Sequence, residues 1–191
     1  MPLQSGSDRI LAAMHRWYRA EHYARRAELI REHLPQAAIG ADVIAGFPGE
    51  TEADHAATLA FIDRLPFTYL HAFSFSKRPG TRAAALSDEV PPATIKRRAR
   101  ELRALGESKS AAFYRAQSGQ SLNVLTLRHT SGESSADWTP AISSNYLHVR
   151  VPGKWPPNQM ISILATSGGA SYLHAVPEIM DAFAAQSQRS E

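Results

Sequence analysis

The chain has 191 residues, 43% of them hydrophobic and 20% charged, a balance that suits one medium domain or two small ones. No apolar run approaches the ~18 residues that span a bilayer, and no basic stretch leads into an apolar core as in a signal peptide, so a cytoplasmic protein without a membrane partner is expected. Formal net charge is +3, a mild bias toward polyanions, and the absence of cysteine excludes disulfides, zinc–thiolate sites, iron–sulfur ligation and cysteine nucleophiles within the chain.

In chain order, Met1 to Ser7 reads as the end of a strand. Ser7 and Asp8 cap a first helix with Ile10, Leu11 and Met14 on one face. A second helix is predicted from Ala20 to His33, with Tyr23, Ala27 and Ile30 at helical spacing and Pro35 as its stop. Ala38 to Ala45 is a mostly apolar run that reads as a strand of a parallel sheet covered on both faces. Thr51 caps a third helix, with Asp54 in a near-capping-box position, and Leu59, Ile62 and Leu65 form its inner stripe. Tyr69 to Phe75 is the next strand, so strands alternate with helices as in βαβ units. A basic turn, Lys77 to Thr81, and an acidic linker from Ser87 lead to Pro92, which opens a long helix reaching about Gln117. Ile95, Ala99, Leu102, Leu105 and Phe113 are its inward residues.

After Gly119 the texture changes. Leu122 to Arg128, Tyr146 to Val151, Met160 to Ala165 and Tyr172 to Val176 are short strand candidates between Gly, Ser, Pro and Asn clusters, the pattern of a small β-barrel. The expected organisation is α/β: residues 1–118 as part of a parallel, TIM-like barrel, 119–178 as a small antiparallel, OB-like β-barrel, and 179–191 as a polar tail.

The most informative string is Asp42-Val43-Ile44-Ala45-Gly46-Phe47-Pro48-Gly49-Glu50-Thr51. It is a strand ending in a Gly/Pro turn that enters a capped helix, which places backbone amides where α/β folds bind small molecules. The alternative is a tight loop that needs glycine dihedrals and nothing more. Gln4-Ser5-Gly6-Ser7 offers an amide and hydroxyls at a helix start, for a ligand or for a cap alone. Arg16, beside two aromatics, is a carboxylate partner or a cover for apolar surface. The eight histidines show no metal-ligand spacing. Neither a Gly-x-Ser-x-Gly nor a dinucleotide-type glycine string occurs, so no catalytic or metal-binding residue is assigned. The Lys/Arg cluster at 96–103 reads as a solvated helix face, with nucleic-acid contact as the other reading. On the β-module, Tyr146, Arg150 and Lys154 are candidates for RNA contact, since small β-barrels present basic strands and aromatics to RNA.

Taken together, Pro-Leu-Gln-Ser-Gly-Ser-Asp-Arg-Ile-Leu (2–11), Met-x-Arg-x-Tyr (14–18), Asp-Val-Ile-Ala-Gly-Phe-Pro-Gly-Glu-Thr (42–51) and Leu-His-Ala-Phe-Ser-Phe-Ser-Lys-Arg-Pro-Gly-Thr (70–81) resemble the radical S-adenosylmethionine tRNA methylthiotransferases. The likeness covers residues 1–118, and more weakly the family's RNA-binding TRAM barrel from 119 to about 176. Leu70-His71-Ala72-Phe73 before the basic turn looks most similar to the branch that acts on threonylcarbamoyladenosine next to the anticodon. The resemblance implies S-adenosylmethionine and 4Fe-4S clusters as cofactors and tRNA as partner. By motif position it carries over Gln4, Ser5 and Arg16 as S-adenosylmethionine contacts, Asp42 and Gly46 at the next strand end, and Phe75 near the adenine pocket.

The chain departs from the family in having no cysteine to hold either cluster. The expectation is therefore a C-terminal part of such an enzyme, from a truncated or split gene, working with a separately encoded N-terminal half. The competing expectation is a catalytically dead fragment that acts only as an RNA-binding module. Lys154→Glu is expected to weaken RNA binding and to flatten its salt dependence; an unchanged slope of log affinity against log salt counts against a phosphate contact at Lys154.

Overall fold

A computed structural model of the chain describes residues 2–129 and 137–178. It divides into two compact units, one up to Ala112 and one from Phe113. The expected sequence tail, 179–191, lies outside the described residues.

In the first unit the order is β1 (Pro2–Gln4), α1 (Asp8–Ala13), α2 (Ala20–His33), β2 (Gly40–Ala45), α3 (Glu52–Arg64), β3 (Tyr69–Ser74), a short 3-10 turn at Arg82–Ala85, and α4 (Pro92–Ala116). The three strands form one parallel sheet in the order β1-β2-β3. β2 and β3 run side by side in unbroken register from Gly40 opposite Tyr69 to Ala45 opposite Ser74. This is the βαβ arrangement that the alternating pattern predicts. The described residues form three parallel strands and no closed parallel barrel.

Strand alternation sorts the side chains by face. Ala41, Val43 and Ala45 of β2 are buried, and Leu70 and Ala72 of β3 pack on the same core. That core takes Leu11 from α1, Tyr23, Ala24 and Ala27 from α2, Phe61 and Ile62 from α3, and Ala99 and Leu102 from α4. The other face carries Asp42 and Ile44 beside Tyr69, His71 and Phe73. Tyr69 and Phe73 are 41% and 53% exposed, so this face is not covered as the apolar run at 38–45 suggests. Along β3, Tyr69 packs tilted on His71 and His71 meets Phe73 edge to face.

The helix ends follow local chemistry. Ser7 accepts the amide of Ile10 and caps α1. Thr51 and Asp54 close a reciprocal capping box at α3. Leu34, after α2, donates its amide to Ile30, and Pro35 follows at once.

The second unit is a closed five-stranded barrel: β4 (Ser121–Thr126), β5 (Trp138–Ser143), β6 (His148–Pro152), β7 (Met160–Gly168) and β8 (Leu173–Pro177), in the order β4-β5-β6-β8-β7 with β7 back on β4. It is not wholly antiparallel, because β6 and β8 pair in parallel. Closure removes free strand edges. Val124, Ala141, Val149, Val151, Ile163, Ala165 and Leu173 fill the interior. β5 escapes the sequence pattern: Pro140 and the small residues around it do not read as a strand. Pro140 nonetheless sits opposite Arg150, and its carbonyl accepts the amide of Leu127. The division between units falls inside α4, because Phe113 and Tyr114 pack into the barrel core and the amide of His148 donates to the Tyr114 hydroxyl.

Ile62 is fully buried in the first core. Ile62→Ala is expected to cost about 2–5 kcal/mol by removing packed methyl groups and leaving a cavity, measured as a loss of unfolding free energy in urea; a change within 0.5 kcal/mol contradicts the packing described.

Candidate ligand chamber at the strand ends

The carboxyl ends of β1, β2 and β3 meet two loops whose geometry is held from below. The first follows β1. Gln4 has φ 71 and is the centre of a three-residue turn closed by the Ser5 amide on the Leu3 carbonyl. Such a turn with positive φ is the rare, strained γ form, and a non-glycine residue there costs on the order of 1–3 kcal/mol. The neighbours over-determine it. Ser5 Oγ lies 3.2 Å from Thr58 Oγ1, Gly6 donates to Thr58 Oγ1, and Ser7 donates its amide to Ser5 Oγ.

Asp54 completes that anchor. Its carboxylate accepts Ser7 Oγ at 2.7 Å, the Thr51 amide at 2.9 Å and the Arg9 guanidinium. Burial works against ionisation of Asp54, but the hydrogen bonds from Arg9, Thr51 and Ser7 outweigh it and hold the carboxyl well below the usual carboxylate range.

The second loop is Gly46 to Thr51. Gly46 and Gly49 have φ +81 and +80, and a Cβ on Gly46 would stand 2.4 Å from Ile95 Cγ1. Glu50 turns back inside the loop. Its Oε2 accepts the Gly46 amide at 2.8 Å and Arg98 Nη1 at 2.7 Å, and Arg98 also donates to the Glu50 carbonyl. Both side chains are sealed from water, 2% and 3% exposed.

Above these loops lie two adjoining spaces. The first, about 240 Å³, is lined by Gln4, Arg16, Ile44, Phe47 and Phe75, and also by Met14, His15, Arg82 and Leu86. The second, about 460 Å³, shares Gln4, Ile44 and Phe75 and adds Asp42, Phe73, Ser74, Ser76 and Arg78. Phe47 and Phe75 meet edge to face at 5.5 Å.

Arg16 reaches the chamber through the end of α1. The His15 amide bonds to the Ala12 carbonyl and the Arg16 amide to the Leu11 carbonyl, with His15 at φ 55. This is a Schellman closure with histidine where glycine is usual, and no glycine in the sequence announced it. Tyr18 Oη donates to the Pro2 carbonyl and ties the same segment to β1.

The structure thus brings Gln4, Arg16, Asp42 and Phe75 to one chamber. Ser5 and Gly46 do not line it. Ser5 is buried with its hydroxyl committed to Thr58 and the Ser7 amide, and the Gly46 amide is taken by Glu50. Both shape the loops; neither side reaches into the space. Met14, His15, Phe47 and Phe73 line the chamber and were not legible as site residues, since each reads as an ordinary apolar or helix-end residue. The basic cluster at 96–103 is also not a uniformly solvated face. Arg98 is buried on Glu50, and Arg97 pairs with Glu101 and Glu52.

On the barrel, Tyr146 is 79% exposed in the left-handed turn before β6, and Lys154 is exposed in the turn after it. Arg150 lies between them on β6. Among the described residues no group of His, Asp or Glu forms a metal cluster, and no helix is long and apolar enough to cross a membrane.

No family model matches the chain. It is similar over most of its length to curated proteins that make a methylthiolated tRNA nucleoside. Their shared name is tRNA-2-methylthio-N(6)-dimethylallyladenosine synthase. Identity is 49% over 141 residues with the protein of Mycobacterium bovis, covering 74% of this chain and 27% of that protein. It is 41% over 168 residues with that of Thermobifida fusca, covering 88% and 32%, and 38% over 181 residues with that of Sphingopyxis alaskensis, covering 93% and 39%. The chain therefore spans from about a quarter to two fifths of the length of these relatives.

The names correct one expectation. The relatives are named for dimethylallyladenosine, and the threonylcarbamoyladenosine branch read from Leu70-His71-Ala72-Phe73 has no support. The physical reason lies in β3: Leu70 and Ala72 pack on the core and His71 and Phe73 alternate with them. That tetrapeptide reports what a strand of this sheet requires, not which modified base is taken.

Two outcomes test the loops. Arg98→Met is expected to cost about 3–5 kcal/mol by leaving Glu50 buried without its partner, and the double change Arg98→Met with Glu50→Gln to cost less than Arg98→Met alone; equal losses in urea titrations contradict a coupled pair. The depressed Asp54 carboxyl contributes stability that is complete above its unfolded value near pH 4 and is lost as pH falls through the lower folded value. The stability gap between the wild type and Asp54→Asn is thus expected to be widest at neutral pH and to narrow below about pH 4; a gap constant from pH 7 to pH 3 assigns the effect elsewhere.

Proposed function

We propose that this chain is the part of a tRNA methylthiotransferase of the dimethylallyladenosine type that binds S-adenosylmethionine at the strand ends and contacts tRNA through the barrel. The observation that carries the reading is the chamber itself. A strained turn at Gln4 and a Schellman-closed Arg16 converge on the carboxyl ends of parallel strands, where α/β folds bind ligands. Strain held by several independent hydrogen bonds is a mark of a positioned group rather than of packing alone. The similarity to the named synthases adds the substrate class.

The donor set fits S-adenosylmethionine. Arg16 supplies a planar fork for a carboxylate, Gln4 an amide, and the Phe47 and Phe75 rings an apolar wall for a purine. Asp42 and the Phe73 side of the second space lie next to that wall. When bound, S-adenosylmethionine supplies the adenosyl and methyl groups of the chemistry. The residues of this chain bind it, orient it, and keep water from one side of it. The 191 residues contain no cysteine and do not fit a thiolate-held iron–sulfur cluster.

In the barrel, the proposed RNA contacts are Tyr146, Arg150 and Lys154. A closed small barrel with outward basic and aromatic residues is a recurring RNA-binding form.

The test is binding by the purified chain. S-Adenosylmethionine is expected to bind in equilibrium dialysis, and Arg16→Ala to weaken it at least about tenfold, the order of one lost charge-assisted pair, with an unchanged thermal midpoint. No binding by the wild type, or none lost in Arg16→Ala, overturns the ligand half of the reading. An anticodon stem-loop carrying dimethylallyladenosine that binds no better than an unrelated duplex overturns the tRNA half.

A further inference from the structure

The barrel carries an arginine that lies over two aromatic rings and, among the described residues, makes no hydrogen bond or ion pair with its side chain. The guanidinium of Arg150 lies 4.5 Å from the centre of the Trp138 ring and 3.8 Å from that of Tyr172. The arrangement follows from register. Pro140 stands opposite Arg150 in the antiparallel β5–β6 pair, and Trp138 opposite Pro152. Trp138 and Arg150 are therefore diagonal neighbours on one face, within reach of long side chains. Arg150 also stands opposite His174 in the parallel β6–β8 pair, and Tyr172, two residues before His174, shares its face. The intervening residues Thr139, Val149, Val151 and Leu173 point into the core, so the three stacked side chains lie on the outer wall of the barrel.

The stack continues at both ends. His129 packs on Trp138 at 5.3 Å and Tyr172 meets His174 edge to face at 5.1 Å. Most arginines of this chain that are held in place are held by carboxylates or carbonyls: Arg9 on Asp54, Arg97 on Glu101, Arg98 on Glu50. Arg150 is different. Among the described residues its side chain makes no ion pair and donates no hydrogen bond; aromatic faces alone hold it.

A guanidinium is planar and carries its five N–H donors at the rim, and here two rings from neighbouring strands hold it in place. The stacking has already removed much of the rotamer freedom that an arginine gives up on binding. The surface so formed matches an acceptor that offers two oxygens in a plane. We propose that the Trp138–Arg150–Tyr172 stack is a preset bidentate fork for a phosphodiester of single-stranded RNA. This rests on the reading of the barrel as RNA-binding and adds to it the residues and the mode: a fixed planar contact, which a lysine at 150 cannot reproduce. Lys154, in the turn just beyond β6, supplies a second positive charge on the same chain segment. An RNA strand fits better than an acidic peptide because a base next to the clamped phosphate has the exposed His174 ring of the same row to stack on.

The experiment is fluorescence anisotropy of a labelled anticodon stem-loop with the full chain at several salt concentrations, with circular dichroism as the fold control. Arg150→Ala is expected to weaken binding at least about tenfold and to lower the slope of log affinity against log salt by about 0.7–1, the signature of one lost phosphate contact. Arg150→Lys is expected to keep the slope and still lose about five- to tenfold in affinity, because charge without the planar fork is retained. Trp138→Leu and Tyr172→Leu, which change no charge, are expected to lose affinity as well. Wild-type affinity in Arg150→Lys overturns the proposal, and that conservative variant at a half-buried position decides the matter even where Trp138→Leu fails to fold. Full competition by polyglutamate at equal charge overturns it in favour of an acidic peptide. Binding of RNA by the wild type that none of these variants alters overturns the clamp alone; no RNA binding by the wild type overturns the reading of the barrel together with it.

Discussion

The buried pair of Glu50 and Arg98 is the interaction on which the first unit depends. Two charges sealed from water are tolerated only when each satisfies the other and further hydrogen bonds support the pair. Here one carboxylate oxygen accepts both the Gly46 amide and Arg98, and Arg98 reaches the Glu50 carbonyl as well. The loop from the end of β2 to the start of α3 is thereby closed on itself and joined to the first turns of α4. The loop between Gly46 and Glu50 has little freedom left, and Phe47 is presented to the chamber from a fixed backbone. Gly46 is fixed by its neighbour: with Ile95 packed directly against it, no side chain fits there.

A second carboxylate, Asp54, does for the loop after β1 what Glu50 does for the loop after β2. It gathers Ser7, Arg9 and Thr51 around the start of α3, so that one helix N-terminus holds both strand ends. This rigid floor is what permits backbone strain above it. Gln4 and His15 both adopt positive φ, and both line the chamber. Where several hydrogen bonds fix the flanking residues, a locally unfavourable dihedral persists because relaxing it would break them all.

The barrel solves a different problem. Its strands are short, and an open sheet of such strands would expose its edges. Closure through a parallel β6–β8 pair removes them and leaves alternate residues outward on every strand. The inward set is mostly apolar, with Thr126, Thr139 and Ser143 buried among it. The outward set is free to carry chemistry, and on β5, β6 and the start of β8 it brings Trp138, Arg150 and Tyr172 into one row.

Local chemistry alone was enough for much of this. Ser7 and Thr51 as caps, the spans of α2 and α4, the parallel neighbours at 40–45 and 69–74, and a small barrel after Gly119 are all legible from periodicity, capping residues and turn composition, because those signals act within a few residues of where they are read. The strings at 2–11 and 42–51 also marked the strand ends where the chamber lies. What tertiary structure alone decided is everything that joins residues far apart. Ser5 turned out to face Thr58 and not the chamber, Arg98 left a basic face for a buried carboxylate, and β5 formed despite Pro140 because its neighbours supplied the pairing. Arg150 was visible as one basic residue on a strand; that two aromatic rings from other strands grip it follows from register, which is set by the closure of the whole barrel and by no single segment.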